Sequence, residues 1–173
     1  MTPPHSKSNR RWIIPLPPGL DRFDPVVLLT TWFHAGRFAK APGTWGSLAA
    51  LPCALIIHAL AGSWGLLVAA LICFGAGVWA TGEYARISGR KDPSEAVIDE
   101  VAAQWLVLAF APFALLPWLA SFAFFRLFDI WKPWPVGVAD RALTGGFGIM
   151  ADDILAAIYA ILTLAIIRFI LGL

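Results

Sequence analysis

From Leu48 to Ala80 the chain runs for 33 residues in which His58 and Ser63 are the only strongly polar side chains. As one helix such a run would be about 50 Å long, well beyond the ~30 Å hydrocarbon core of a bilayer. A hairpin that breaks at Gly62-Ser63 fits better, with Trp45 and Trp64 near its arm ends, where aromatic side chains favour the interface. The rest of the chain agrees with a membrane reading. It is 59% hydrophobic and 14% charged, outside the range of an ordinary soluble domain, and its net charge of +2 comes without the Lys/Arg block that nucleic-acid binding needs.

Two more apolar stretches follow. Val101 to Phe125 is interrupted by Pro112 and Pro117, which predict a turn or kink. As a hairpin its arms are too short to span, and would re-enter or pack inside the bundle. Ile154 to Leu173, with Arg168 near its end, reads as a single span. No strand-like alternation competes with these runs. The expected fold class is all-α: a small multi-helix integral membrane protein with helical hairpins and a cytoplasm-facing site. Residues 1–24 form a separate unit, a flexible arm rich in proline and cations, and residues 25–173 the membrane domain. Cys53 and Cys73 lie in apolar stretches without metal or redox spacing and read as small hydrophobes.

With two hairpins, the arm and the segments 82–100 and 126–153 share one side of the membrane. That side carries every Lys and Arg except Arg168 and every Asp and Glu, and the positive-inside rule makes it cytoplasmic.

Four polar segments border the apolar runs there. "KAPGTWGS", Lys40 to Ser47, leads through a Pro/Gly turn into a helix, where Thr44 or Ser47 would cap it or join free N–H groups in holding an anion. "DPSEAVIDE", Asp92 to Glu100, reads as a helix start at Asp92-Pro93-Ser94, with Asp99 and Glu100 deeper than the helix dipole explains. In "FRLFDIWKPWP", Phe125 to Pro135, Arg126 and Asp129 share a helix face, and Lys132-Pro133 marks the helix end. "DRALTGGFGIMADD", Asp140 to Asp153, reads as a glycine loop that delivers Asp152 and Asp153 to a helix N-terminus.

Together these place Asp99, Glu100, Asp129, Asp152 and Asp153 at apolar boundaries on one side. Five clustered carboxylates repel one another unless a cation sits among them, and oxygen donors without a Cys/His cluster select a hard ion, Mg²⁺. His58 reads as an interhelical contact and His34 as a loop residue.

"APGTWGSLAALP", "VIDE", "FRLFDIWKPWP" and "GGFGIMADD", in this order, resemble the phosphatidylglycerophosphatase A family over roughly residues 24–165. The resemblance implies a Mg²⁺-dependent phosphatase of the bacterial cytoplasmic (inner) membrane that hydrolyses the terminal phosphate monoester of phosphatidylglycerophosphate to give phosphatidylglycerol. In that reading the five acids divide metal binding and water activation, and Arg126, Lys132, Thr44 and Ser47 bind the phosphate. The chain departs from the family pattern at His34, Ala103 and Ala157, where the family often has Gly, and at Ala39, where it often has Pro. Partners would be the lipid substrate, the membrane and a second copy in a homo-oligomer, with no nucleic acid. The non-enzyme alternative, a small ion transporter or channel subunit, requires acids spread through the depth of the apolar runs.

Overall fold

The computed structural model describes residues 12–172, except for the side chain of Asp140. The expectation for the basic arm therefore lies outside the described residues as far as position 11. Among the described residues there are six α-helices: α1 (Pro25–Thr30), α2 (Pro42–Ser88), α3 (Ile98–Phe110), α4 (Leu115–Trp131), α5 (Val136–Ala142) and α6 (Gly145–Leu171). One 3₁₀ turn, Ala35–Arg37, precedes α2.

α2 is a single element in name only. Gly62 sits at φ 63°, ψ −161°, a backbone region open to glycine and costly for any residue with a Cβ. Gly46, before the break, lies directly against Val97, while Gly77, after it, lies against Ile98. A straight helix would hold these two glycines about 46 Å apart, so the chain reverses at Gly62 and the two arms lie together. Ala50 and Ala54 on the first arm share a buried cluster with Leu66, Ala70 and Cys73 on the second. The break falls where the sequence placed it.

The 101–125 stretch is also folded back on itself. α3 and α4, of 13 and 17 residues, are separated by the turn at 111–114, and Arg126 on α4 returns to Glu100 at the head of α3. Pro112 lies in the turn, and Pro117 is accommodated in the first turn of α4, where a helix tolerates it. At the turn, His58 stacks on Phe113 at 4.1 Å and meets the edge of Trp118, the interhelical contact expected of it. The Trp105 indole donates to the Ala50 carbonyl at 2.9 Å, tying α3 to the first arm of α2.

α6 joins through glycine. A Cβ on Gly146 would collide with the Val78 carbonyl, and Gly82 lies against Gly146. Gly145 to Gly148, expected to be a loop, are instead the first turn of α6. Their missing side chains let two helix backbones approach rather than turn the chain. Ala103 and Ala157, two departures from the family pattern, are fully buried where α3, α4 and α6 meet. His34, a third, has φ 71°, a left-handed conformation that glycine adopts freely.

Two helices, α2 and α6, are long and apolar enough to cross a membrane. Their most apolar windows have mean hydropathies of 2.1 and 2.5, yet only 11% and 17% of those windows is buried. The core helix of a soluble protein would be mostly covered, so these faces are built for an apolar surrounding. Leu60, Trp64, Leu71, Ile72, Leu162 and Phe169 are among the exposed side chains. Residues 12–24 form no helix: Ile13 is bridged to Phe38, turns follow at 18–19 and 22–23, and Leu16 and Leu20 pack against Val26, Val27 and Tyr84. Asp24 caps α1 through the Val26 amide.

Candidate metal and phosphate site

The heads of α2, α3 and α6 and the tail of α4 meet at one end of the bundle, and this brings the five predicted acids together. Asp99 and Glu100 occupy the first turn of α3, which begins at Ile98 rather than at Asp92. The helix dipole therefore does account for part of their stability, contrary to the sequence expectation. The start shifts because the Val97 amide donates to the Thr30 carbonyl at 2.8 Å and the Val97 side chain is wedged against Gly36 and Gly46. Those contacts fix the preceding residues as a turn. Asp152 and Asp153 lie two turns inside α6, both buried.

One oxygen each from Asp99, Glu100 and Asp153 can be chosen so that all three lie within 4.8 Å of one another. Three oxygens at that spacing could hold one metal ion between them. Glu100 Oε2 and Asp153 Oδ2 are buried with no hydrogen-bond partner. Buried carboxylate oxygens in that state are costly, and a cation among them would satisfy both. Burial first, and then the neighbouring negative charges, pushes the Asp99 carboxyl well above its ordinary range. Glu100 is also raised, mainly by burial, with Arg126 opposing the shift.

The two cations expected beside the acids are held by the remaining carboxylates. Arg126 pairs with Asp129 at 2.5 Å and approaches Glu100 at 3.6 Å, with all three side chains no more than 13% exposed. Lys132 caps α4 in a left-handed conformation, and its Nζ donates to Asp152 Oδ2 at 2.7 Å. The helix end at Lys132-Pro133 and the shared helix face of Arg126 and Asp129 are thus as the sequence indicated, and the two side chains form an ion pair inside the protein.

Thr44 and Ser47 behave differently. α2 begins at Pro42 behind Ala41, with no side-chain cap, so neither hydroxyl serves as the N-cap. Ser47 is buried and its hydroxyl donates to the Gly43 carbonyl at 3.0 Å. Gly43 itself touches the site: a Cβ there would overlap Glu100 Oε1 and lie 3.1 Å from Arg126 Nη1.

A cavity of about 140 Å³ opens over the carboxylates. Its walls include Asp99, Glu100, Asp152 and Asp153, with Lys132 and also Lys91, Ser94 and Thr144. Sequence reasoning gives none of these last three a place in the site: Ser94 reads only as part of a helix start, and Lys91 and Thr144 sit in polar segments where loop composition masks them. The volume is below the ~300 Å³ of a typical small-molecule pocket. His34 lines a different cavity.

The loop from Gly89 to Val97, which carries the chain into α3, is pinned by Glu95. This carboxylate is fully buried, accepts from the Tyr84 hydroxyl at 2.8 Å, and is clasped by both terminal nitrogens of Arg90. Burial alone would raise its pKa, but the hydrogen bonds from Arg90, the backbone and Tyr84 outweigh that and hold it below 4.5. A depressed folded-state pKa stabilises the fold above the unfolded value, and the contribution fades as pH falls through the folded one. Thermal melts in detergent should therefore show wild type losing its advantage over Glu95→Gln as pH drops below 4.5. An advantage that persists unchanged into strong acid would show that Glu95 is not ionised in the fold.

The phosphatidylglycerophosphatase A family model matches residues 28–168. A phosphatidylglycerophosphatase A of Haemophilus influenzae is 40% identical over 147 residues, covering 84% of this chain and 90% of that protein. The Escherichia coli phosphatidylglycerophosphatase A is 38% identical over 137 residues, 78% of each chain. A Bacteroides thetaiotaomicron protein, provisionally named a phosphatidylinositol-3-phosphatase, is 37% identical over 153 residues, covering 84% of this chain and 95% of its own. No solved structure matches the chain.

Proposed function

The chain belongs to the phosphatidylglycerophosphatase A family, and from that premise we propose that Asp99, Glu100 and Asp153 hold a Mg²⁺ ion at the cytoplasmic face of the inner membrane, where Lys132 meets the lipid phosphate. The enzyme is a phosphoric monoester hydrolase that dephosphorylates phosphatidylglycerophosphate to phosphatidylglycerol. The observation that carries the site assignment is the convergence of two buried carboxylates and a partly buried one, two of the three with orphaned oxygens, beside a lysine that lines the same small cavity.

A phosphate monoester carries about −1.5 to −2 charges near neutral pH, which oppose any approaching nucleophile. Bound Mg²⁺ would neutralise part of that charge and polarise the phosphoryl group. The chain's own residues do the rest. Lys132 supplies a point charge to the phosphate oxygens, and Asp152 holds its ammonium in place. Arg126, fixed by Asp129, counters the negative field behind Glu100. A carboxylate oxygen of the cluster takes one proton of the attacking water as the P–O bond to the glycerol breaks, and returns it to the departing oxygen, leaving the lipid alcohol and inorganic phosphate. Thr44 lies beside Gly43 at the head of α2, within a turn of the Glu100–Arg126 contact. Ser47 supports that turn from beneath.

Orientation follows from charge. Among the described residues, every Lys and Arg except Arg168 falls in the polar segments 12–47, 82–100 and 126–153 that border the apolar helices, which supports a cytoplasmic placement. The same one-sidedness disfavours an ion path, since the carboxylates do not continue into the apolar depth.

Headgroup reach sets the substrate. Trp134, 79% exposed beside Lys132, stands at interface height and keeps the mouth level with the headgroups. The terminal phosphate of a glycerophosphate headgroup reaches the cluster, whereas the phosphate of phosphatidic acid lies closer to the acyl chains. In mixed micelles with Mg²⁺, phosphatidylglycerophosphate should be hydrolysed well and phosphatidic acid poorly, and Lys132→Met should lower turnover on the former. Phosphatidylinositol 3-phosphate, suggested by the name of the Bacteroides relative, is the informative third arm. Equal rates on phosphatidylglycerophosphate and phosphatidic acid would sink the headgroup-reach account.

A further inference from the structure

A second cavity, about 700 Å³, lies on another face of the first α2 arm and shares no lining residue with the cavity over the carboxylates. Gly43 on that arm faces Glu100, and Ala50 faces Trp105; Ala49 and Cys53 turn instead toward the cavity, which the 32–38 segment and Ile13 close from the other side. The charged lining is cationic. Arg22 and Arg37 contribute to it together with His34, whose Nδ1 is 3.4 Å from Arg37 Nη1, and no acid is among the lining residues. The nearest acids in sequence, Asp21 and Asp24, accept instead from the Phe23 and Val26 amides. The remaining walls are apolar, with the Phe33 and Phe38 rings 63% and 46% exposed.

The cavity also has a depth axis. Ala49 and Cys53 lie about 10 and 16 Å along the arm from Pro42, so it runs from the cationic end of the bundle into hydrocarbon depth. Hydrolysis at the carboxylates uses none of these residues.

We propose that this cavity is a second lipid site, which takes one anionic phospholipid with its phosphodiester on Arg22 and Arg37 and the start of an acyl chain along Phe33, Phe38 and Cys53. Guanidinium groups suit a phosphodiester because they offer paired donors, and an apolar floor below them is useful only to a ligand with a tail. The volume lies in the range that holds a headgroup and a short length of chain. The eleven residues ahead of the described chain are a poor occupant, since they carry Lys7, Arg10 and Arg11 and no acid.

Cys53 provides the readout, because Cys73, the other cysteine, is only 6% exposed and Cys73→Ala removes it. Full-length protein in a non-ionic detergent is treated with N-ethylmaleimide while phosphatidylglycerol or phosphatidylcholine is added. Phosphatidylglycerol at ten times its dissociation constant should slow modification of Cys53 about tenfold, and phosphatidylcholine should do little. Arg22→Gln, at an exposed position, should weaken the protection severalfold, and Arg22→Gln with Arg37→Gln should abolish it. Equal protection by the two lipids, no protection, or protection that survives Arg22→Gln overturns the proposal. So does a lipid-free rate that rises on deleting residues 1–11, which would make that segment the occupant, or that falls with protein concentration, which would make it a second copy.

Discussion

Asp153→Asn is expected to reduce phosphate release from phosphatidylglycerophosphate on the order of 10³-fold, equivalent to about 4 kcal/mol of barrier, while the protein stays folded. Asp153 is buried in α6, is one of the three converging carboxylates, and has an oxygen, Oδ2, with no hydrogen-bond partner. Asparagine keeps the shape and removes the charge that a hard cation needs. Because the buried carboxylates repel one another, removing one charge should leave the thermal midpoint in detergent unchanged or raise it. Lost activity with an intact or higher midpoint is the signature of a metal-site residue. Equal losses of both would reduce Asp153 to a structural role, and full turnover at ordinary Mg²⁺ would remove it from the site. Asp129→Asn and Asp152→Asn should also lose nearly all turnover, since each frees a cation that the phosphate requires in place.

Gly43→Ala should cost one to two orders of magnitude in turnover, on the order of 1.4–2.7 kcal/mol. A single methyl there overlaps Glu100 Oε1 and crowds Arg126. The atom it meets is the end of a flexible side chain, so the fold can yield by swinging Glu100 aside. That relief displaces one of the three converging carboxylates. The expected pattern is therefore a small change in melting and a large one in activity, accompanied by a higher Mg²⁺ requirement. Wild-type activity at low Mg²⁺ would show that the first turn of α2 does not position Glu100.

Much of the architecture was legible because membrane helices are written in long apolar runs and their breaks in glycine and proline. Gly62 is the clearest example: only glycine holds the backbone found there, and it sits midway in a run too long for one span. The convergence of Asp99, Glu100, Asp129, Asp152 and Asp153 was legible for a related reason, since hairpins return boundary residues to one end. What was misread depends on tertiary contact. Asp92-Pro93-Ser94 has the chemistry of a helix start, yet Val97, held by Thr30, Gly36 and Gly46, delays α3 to Ile98. Gly145, Gly146 and Gly148 look like a loop until Val78 is seen against Gly146. Local sequence carries the cap and turn signals but not the backbone that will lie across them. The same limit hid Gly43, whose importance lies in what its missing side chain leaves room for.

The most direct test of the central claim, that the carboxylate cluster acts through a bound divalent cation, is phosphate release by the purified full-length protein on phosphatidylglycerophosphate in mixed micelles, measured with EDTA and after Mg²⁺ is restored. The expected result is one phosphate released per phosphatidylglycerol formed, activity abolished by EDTA, and full recovery with Mg²⁺ for wild type but not for Asp153→Asn. Undiminished hydrolysis in excess EDTA would contradict it.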